Sequence, residues 1–167
     1  MPVRVLRLGH RAARDKRIST HCALVSRALG AESLIYTGQR DSEMEDSVRK
    51  VSEQWGGRFR IEHAASWRKV IKDFRGGSAH LTMYGLPIQQ KIGEIMKSKN
   101  LLVVIGAEKV PMEIYHAADW NIAVTNQPHS EVAALAIFLH EFFQGKNPDF
   151  GKAKRRIIPQ KAGKRFA

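Results

Sequence analysis

Residues 101–107 read Leu-Leu-Val-Val-Ile-Gly-Ala, an apolar run with no polar position to turn toward water. A strand with one wet face alternates apolar and polar residues, so a run without alternation belongs to a strand buried on both faces. A chain that contains such a strand must cover it from two sides. "VRVLRL" (3–8), "ESLIYTG" (32–38), "RFRIEHA" (58–64), "AHLTMYG" (79–85) and "NIAV" (121–124) read as further strands, with helical segments between them. This alternation predicts an α/β domain with a mostly parallel sheet and helices on both faces.

The helix signals give boundaries. Residues 19–30 read as a helix with Ser19 or Thr20 as N-cap and Gly30 as its stop. Ser42 and Glu45 have the spacing of a capping box for the next helix. A helix over 67–77 ends on a glycine pair, and Pro87 at a first helical position opens one that runs to about Lys99. A short helix follows Pro111. The last helix, from Ser130, carries Val132, Leu135, Ala136, Leu139 and Phe143 on one stripe, with Ala133, Ile137 and Phe142 as a second apolar surface. A helix apolar most of the way round needs burial on two sides, which a subunit interface can supply. Residues 1–150 form the domain, and 151–167 are a basic extension with one short strand at 156–158.

Charge narrows the partner. The net charge is +12, and nearly all of the excess lies at the two ends. Residues 1–31 hold seven Arg or Lys against Asp15, and residues 151–167 hold seven against none. Two basic ends that converge would suit a polyanion such as nucleic acid, with solvated termini as the alternative. Arg11, Arg14 and Arg17, together with Lys154, Arg155 and Arg156, form the expected backbone-binding surface. At 43% hydrophobic residues the chain reads as one globular domain, and no apolar run approaches a membrane span or a leader segment. One cysteine, Cys22, makes no internal disulfide, so a cytoplasmic setting is expected.

Ligands of parallel sheets bind at the carboxyl ends of strands. Three such ends stop in loops holding Gly or Pro: "LTMYG" (81–85), "GAEKVP" (106–111) and "TNQPHSE" (125–131). They are three candidate walls of one pocket, and equally the turns that every α/β protein has. No GxGxxG, Walker A loop or GxSxG elbow is present, and the histidines show no metal spacing, so no metal is expected. His140 and His63 read as packed core histidines, whereas His10 and His21 stay open as RNA-site residues.

Read together, "RLGHRAARDKRISTHCALVSRALGA", "HLTMYG", "VVIGAEKVP" and "NQPHSEVAALAIFLHEF" resemble the SPOUT superfamily of S-adenosylmethionine-dependent RNA methyltransferases. The resemblance is to its archaeal branch acting on the 2′-oxygen of tRNA cytidine 56, and it covers roughly 3 to 160. It implies a C-terminal trefoil knot, which ordinary topology rules would exclude. It also implies a homodimer and a tRNA substrate. Carried over residue by residue, it puts cofactor contacts at Leu81, at Gly106, Ala107, Glu108, Lys109 and Val110, and at Val124, Thr125, Asn126, Gln127, Pro128, His129, Ser130 and Glu131. In the wider superfamily an Asn stands where this chain has Ser130, and another where it has His21.

Methyl transfer to a ribose hydroxyl needs the oxygen in line with the methyl group and something to manage its proton and charge. By superfamily position Arg27 is expected to stabilise that charge, with phosphate clamping as its alternative. Arginine is too basic to take the proton. His21 or an RNA phosphate oxygen could do so, and the sequence leaves both open. Glu108 either orients a neighbouring loop or cofactor group or makes a structural hydrogen bond. The competing class is a non-catalytic RNA-binding α/β protein, which explains the charged ends but not the three loops. A nucleotide-dependent transferase would explain a pocket but lacks a phosphate cradle.

Overall fold

The computed structural model describes residues 2–106 and 109–167. β1 (Val3–His10), β2 (Ser33–Gly38), β3 (Arg60–His63), β4 (Gly77–Pro87), β5 (Leu101–Ile105) and β6 (Trp120–Ala123) form one parallel sheet in the order β3-β2-β1-β5-β4-β6. The helices between them are α1 (Ala12–Ala28), α2 (Ser42–Trp55), α3 (Trp67–Asp73), α4 (Ile88–Ile95) and α5 (Met112–Ala117). α6 (Glu131–Phe142) follows β6, and a separate antiparallel hairpin of β7 (Ile157–Ile158) and β8 (Arg165–Phe166) closes the chain.

The two-faced burial expected of residues 101–105 is observed. Every residue of β5 is buried. Leu101, Val103 and Ile105 join Val3 and Val5 in a core shared with α1, α2, α4 and α6. Leu102 and Val104 turn the other way with Leu6 and Leu8, under Ile114 of α5 and the α3 side chains Trp67, Val70 and Ile71. Period-two alternation of Cβ direction divides the strand between the layers. Truncating one of these residues to alanine should cost about 2–4 kcal/mol.

Several helix starts differ from the sequence signals because other groups claim the capping side chains. α1 begins at Ala12, not at Ser19 or Thr20. Its first turn is closed by Asp15, which accepts hydrogen bonds from the Arg11 backbone N–H (3.1 Å) and from Arg11 Nε (3.0 Å). Ser19 is buried in mid-helix with its Oγ 2.7 Å from His10 Nδ1, and the Thr20 hydroxyl donates to the Lys16 carbonyl. The N-cap of α2 is Asp41, which accepts from the Met44 N–H at 2.9 Å. Glu45 instead accepts from the Tyr36 hydroxyl and from Arg49. α6, expected from Ser130, is capped by that residue, whose Oγ accepts from the Val132 N–H.

Three further expectations are corrected. His10 is fully buried among Ser19, Asp41 and Tyr36 and cannot face RNA. His140 is exposed instead of packed. The second apolar surface of α6 shrinks, because Phe142 joins Leu135, Phe138 and Leu139 in the core and leaves Ala133 and Ile137 exposed.

Within one chain the basic ends meet only at Arg27, which shares a cleft with Arg155 and Arg156. α1 runs back against the strands, so Arg14 and Arg17 lie near the carboxyl edge of the sheet, both exposed. The C-terminal extension docks at the opposite edge, where the Gly57 N–H donates to the Phe150 carbonyl and the Arg155 N–H to the Gln54 carbonyl. Part of the N-terminal charge is also neutralised internally: Arg11 pairs with Asp15 and Lys16 with Glu43, and Arg7 pairs inside the protein with Glu131.

Candidate functional site

The carboxyl end of β4 departs from a regular ladder. Leu81 and Leu86 both register with Ile122 of β6, so residues 82–85 swing out and return to the same partner strand. The return is close: a Cβ on Gly85 would come 2.5 Å from the Asn121 carbonyl, so only glycine fits. Asn126, in the polar loop after β6, pins the excursion by donating from Nδ2 to the Met83 carbonyl (2.7 Å) and the Gly85 carbonyl (3.1 Å). A polar loop beside an apolar helix is thereby explained, since it satisfies backbone carbonyls that have left the sheet.

Beneath this clamp lies a cavity of about 400 Å³. Leu81, Gly106, Lys109, Val110, His129 and Glu131 line it, all expected from the sequence. His80, Thr82, Met83, Tyr84, Ile105, Tyr115 and Ala134 line it as well and were missed. His80 and the 82–84 segment flank Leu81 in the motif that marked it, so the signal was adjacency. Tyr115 had none, because it arrives from α5 and meets the site through its hydroxyl near Thr82 (3.1 Å) and its ring edge-on to His80 (4.8 Å).

Val124, Thr125, Asn126, Gln127, Pro128 and Ser130 do not line the cavity. Val124 packs on the core, Asn126 clamps β4 and Ser130 caps α6. Ala107 and Glu108 lie outside the described residues. A Cβ on Gly106 would collide with the Val110 side chain, which packs against the bare backbone of that glycine.

Two buried polar groups face this region without full partners. The Asn121 amide nitrogen donates to the Tyr115 carbonyl, which turns its Oδ1 to His80 Nδ1 at 2.9 Å. That contact puts the ring hydrogen on Nδ1 and leaves Nε2 as a bare acceptor, buried and unbonded. Burial lowers the His80 pKa and keeps the ring neutral. Glu131 stands at the wall with its Oε2 3.4 Å from the guanidinium of Arg7, which is 1% exposed. Burial raises the Glu131 pKa against the opposing pull of Arg7. An unsatisfied buried acceptor costs about 1–3 kcal/mol, which a ligand donor would recover.

Arg27 and His21 are not at this cavity. Arg27 is at the far end of α1, roughly 20 Å along the helix from its first turn, and at the opposite edge of the sheet. Its Nη2 donates to the Gly56 carbonyl at 2.5 Å, and its guanidinium lies 4.6 Å from the centre of the Phe150 ring. His21 is exposed on the same helix. Lys154, Arg155 and Arg156 are exposed where the chain enters the hairpin. Among the described residues no group of His, Cys, Asp and Glu could hold a metal ion, and no helix is long and apolar enough to cross a membrane.

Residues 55–167 match the family model described as tRNA ribose 2′-O-methyltransferase, aTrm56. The chain is 56% identical to the tRNA (cytidine(56)-2′-O)-methyltransferase of Methanocaldococcus jannaschii, over 98% of this chain and 95% of that protein. It is 54% identical to the enzyme of the same name from Archaeoglobus fulgidus, over 99% and 98%. The fold is also similar to the TrmH/SpoU tRNA modifying enzyme of A. aeolicus, with a TM-score of 0.59 at 16% identity over 86% of this chain and 74% of that one. A further similar fold is the SpoU methyltransferase AviRb of Streptomyces viridochromogenes in complex with the cofactor AdoMet. There the TM-score is 0.60 at 14% identity, over 86% of this chain and 59% of that one.

Proposed function

The chain belongs to the family of tRNA ribose 2′-O-methyltransferases, aTrm56, and from that premise we propose that it methylates cytidine 56 of tRNA with S-adenosylmethionine held in the β4–β5–β6 pocket. The observation that carries this reading is the Asn126-clamped excursion of β4 and the cavity beneath it. The cavity falls in the size range of small-molecule sites. S-adenosylmethionine supplies an electrophilic methyl group on a positively charged sulfonium.

The lining fits that ligand on two counts. His80 Nε2 is a buried acceptor awaiting a donor, and the cofactor carries amino, hydroxyl and ammonium donors. The Glu131 carboxylate gives the wall negative charge suited to a cation, and Arg7 behind it opposes the upward pull of burial on its pKa. Leu81, Ile105 and Ala134 supply apolar contact and exclude water. Gly106 lets the Val110 side chain pack against its backbone at the cavity wall. The deep knot implied by the family resemblance would lie here, where residues 82–85 leave and rejoin β6 and Asn126 holds their carbonyls.

Arg27 then enters the reaction between two subunits, because within one chain it stands at the wrong edge of the sheet. A homodimer that brings one subunit's Arg27 to the other's pocket would let the guanidinium stabilise charge on the 2′-oxygen or clamp the adjoining phosphate. The direct test is incubation with unmodified tRNA and S-adenosylmethionine, followed by mapping of the modified nucleotide. A 2′-O-methyl group on cytidine 56 is expected, and methylation elsewhere or none would overturn the assignment.

A further inference from the structure

The largest described cavity is not the one beneath Asn126. A cleft of about 780 Å³ opens where the C-terminal extension folds back on the end of α2. It is built into the fold. The Phe150 carbonyl takes the Gly57 N–H at 2.9 Å, and the Gln54 carbonyl takes the Arg155 N–H at 3.0 Å. Gly56, at φ +79°, lets the two backbones meet, since a Cβ there would sit 2.8 Å from the Phe150 carbonyl oxygen.

Inside the cleft Arg27 is only 7% exposed, and its Nε is buried without a partner. Among the described residues no carboxylate forms an ion pair with it. Asp149 also lines the cleft, but it is exposed and its Oδ1 accepts from the Gly151 N–H. A buried cation without an anion is costly and calls for one from outside the chain. Around it stand aromatic faces. Phe150 covers the guanidinium and Trp55 lines the cleft beside it, while on the hairpin Phe166 meets Trp55 at 6.1 Å and 53° with the Arg155 guanidinium 5.6 Å from its ring centre. At the rim, Arg155 and Arg156 are exposed, and all seven basic residues of 151–167 face solvent.

A charged funnel leading to aromatic faces is how proteins hold unpaired nucleotides. We infer that this cleft binds one unpaired nucleotide of the tRNA, its base against Trp55 and its phosphate against Arg27, Arg155 and Arg156. The inference rests on the tRNA-methyltransferase reading above and adds a substrate site at the opposite sheet edge from the cofactor pocket. An apolar dock for the tail alone would need neither a buried guanidinium without a carboxylate partner nor exposed arginines at its rim.

The test uses the full chain with Trp67→Phe and Trp120→Phe, so that Trp55 is the only emitter. Unmodified tRNA should quench its fluorescence. Trp55→Leu, which keeps bulk but loses the stacking face, should raise the tRNA Kd roughly tenfold or more. Its affinity for S-adenosylmethionine and its salt dependence should stay unchanged. Arg155→Ala with Arg156→Ala should instead flatten the dependence of log Kd on log salt by about one to two. Trp55→Phe should restore most of the affinity. Should Trp55→Leu lower the melting temperature, Phe166→Ser on the exposed hairpin replaces it, with a severalfold loss expected. Unquenched Trp55 emission, together with tRNA binding within twofold of wild type in these stacking variants, would overturn the cleft. If the protein still methylates tRNA in that case, the substrate assignment stands and only the cleft falls; if wild type does not methylate tRNA, the parent reading fails first.

Discussion

Glu131 and Arg7 pose the sharpest question at the scale of single residues, because an ion pair this deep is seldom a net source of stability. Its place at the pocket wall points to ligand charge. S-adenosylmethionine carries one more positive charge than S-adenosylhomocysteine, and the two differ little otherwise. Glu131→Gln should therefore weaken the first by roughly tenfold and the second much less, a contrast consistent with one partly solvated charge contact. Equal losses in calorimetry would make Glu131 a packing residue. Gly106→Val should also lower cofactor affinity, because Val110 already fills the space that a side chain would need. Acid stability tests the buried histidines. Burial is the main cause that lowers the pKa of both His10 and His80 below 6.5. A depressed histidine stabilises the fold while neutral, and that stability is lost as pH falls from 6.5 through the folded-state value. The melting temperature should thus begin to fall below about pH 6.5. Glu131, with its pKa raised, contributes with the opposite sign. A melting temperature flat from pH 7 to pH 5 would contradict the burial of both rings.

At the scale of elements, α1 shows how one helix can serve two edges of a sheet. Its first two turns carry Arg14 and Arg17 near the carboxyl edge, and its last turn delivers Arg27 to the opposite one. The C-terminal hairpin adds its charge only at the second edge. Removing residues 152–167 should raise the tRNA dissociation constant and flatten its salt dependence, because fewer phosphate contacts release fewer counterions. Cofactor affinity should barely change, since the Asn126 clamp and the cavity share no residue with that segment. Equal tRNA affinity and equal salt sensitivity without the hairpin would mean that its charge is merely solvated.

The whole molecule has its two candidate sites at opposite sheet edges, so one chain cannot bring Arg27 to its own cofactor. Two copies can. A homodimer should sediment at twice 18.8 kDa, and Ile137→Lys, on the exposed face of α6, should shift it toward the monomer. Complementation is more incisive. Arg27→Ala and Gly106→Val proteins, each nearly inactive alone, should recover part of the wild-type rate when mixed and allowed to exchange subunits. One heterodimer site then has an intact pocket from one copy and an intact Arg27 from the other. No recovery despite subunit exchange would place Arg27 outside the reaction.

Local chemistry was enough to read much of this protein from its residues. The unbroken run at 101–105 could only be a strand covered on both sides, and six strand segments alternating with helices left a parallel sheet as the arrangement. Leu81, Gly106 and Glu131 were legible as lining residues of the candidate cavity because strand ends and their motifs are contiguous in sequence. Tertiary structure decided what depends on competition between distant groups. Ser19 lost its cap to a hydrogen bond with His10, and Glu45 lost its capping role to Tyr36 and Arg49, since a side chain takes the best partner that folding presents. His80 and Tyr115 became site residues through Asn121, a partner about forty positions from one and six from the other. The net charge of the first 31 residues looked like a binding surface, yet Arg7 and Arg27 are buried. Composition counts charges, but only packing decides which of them meet water.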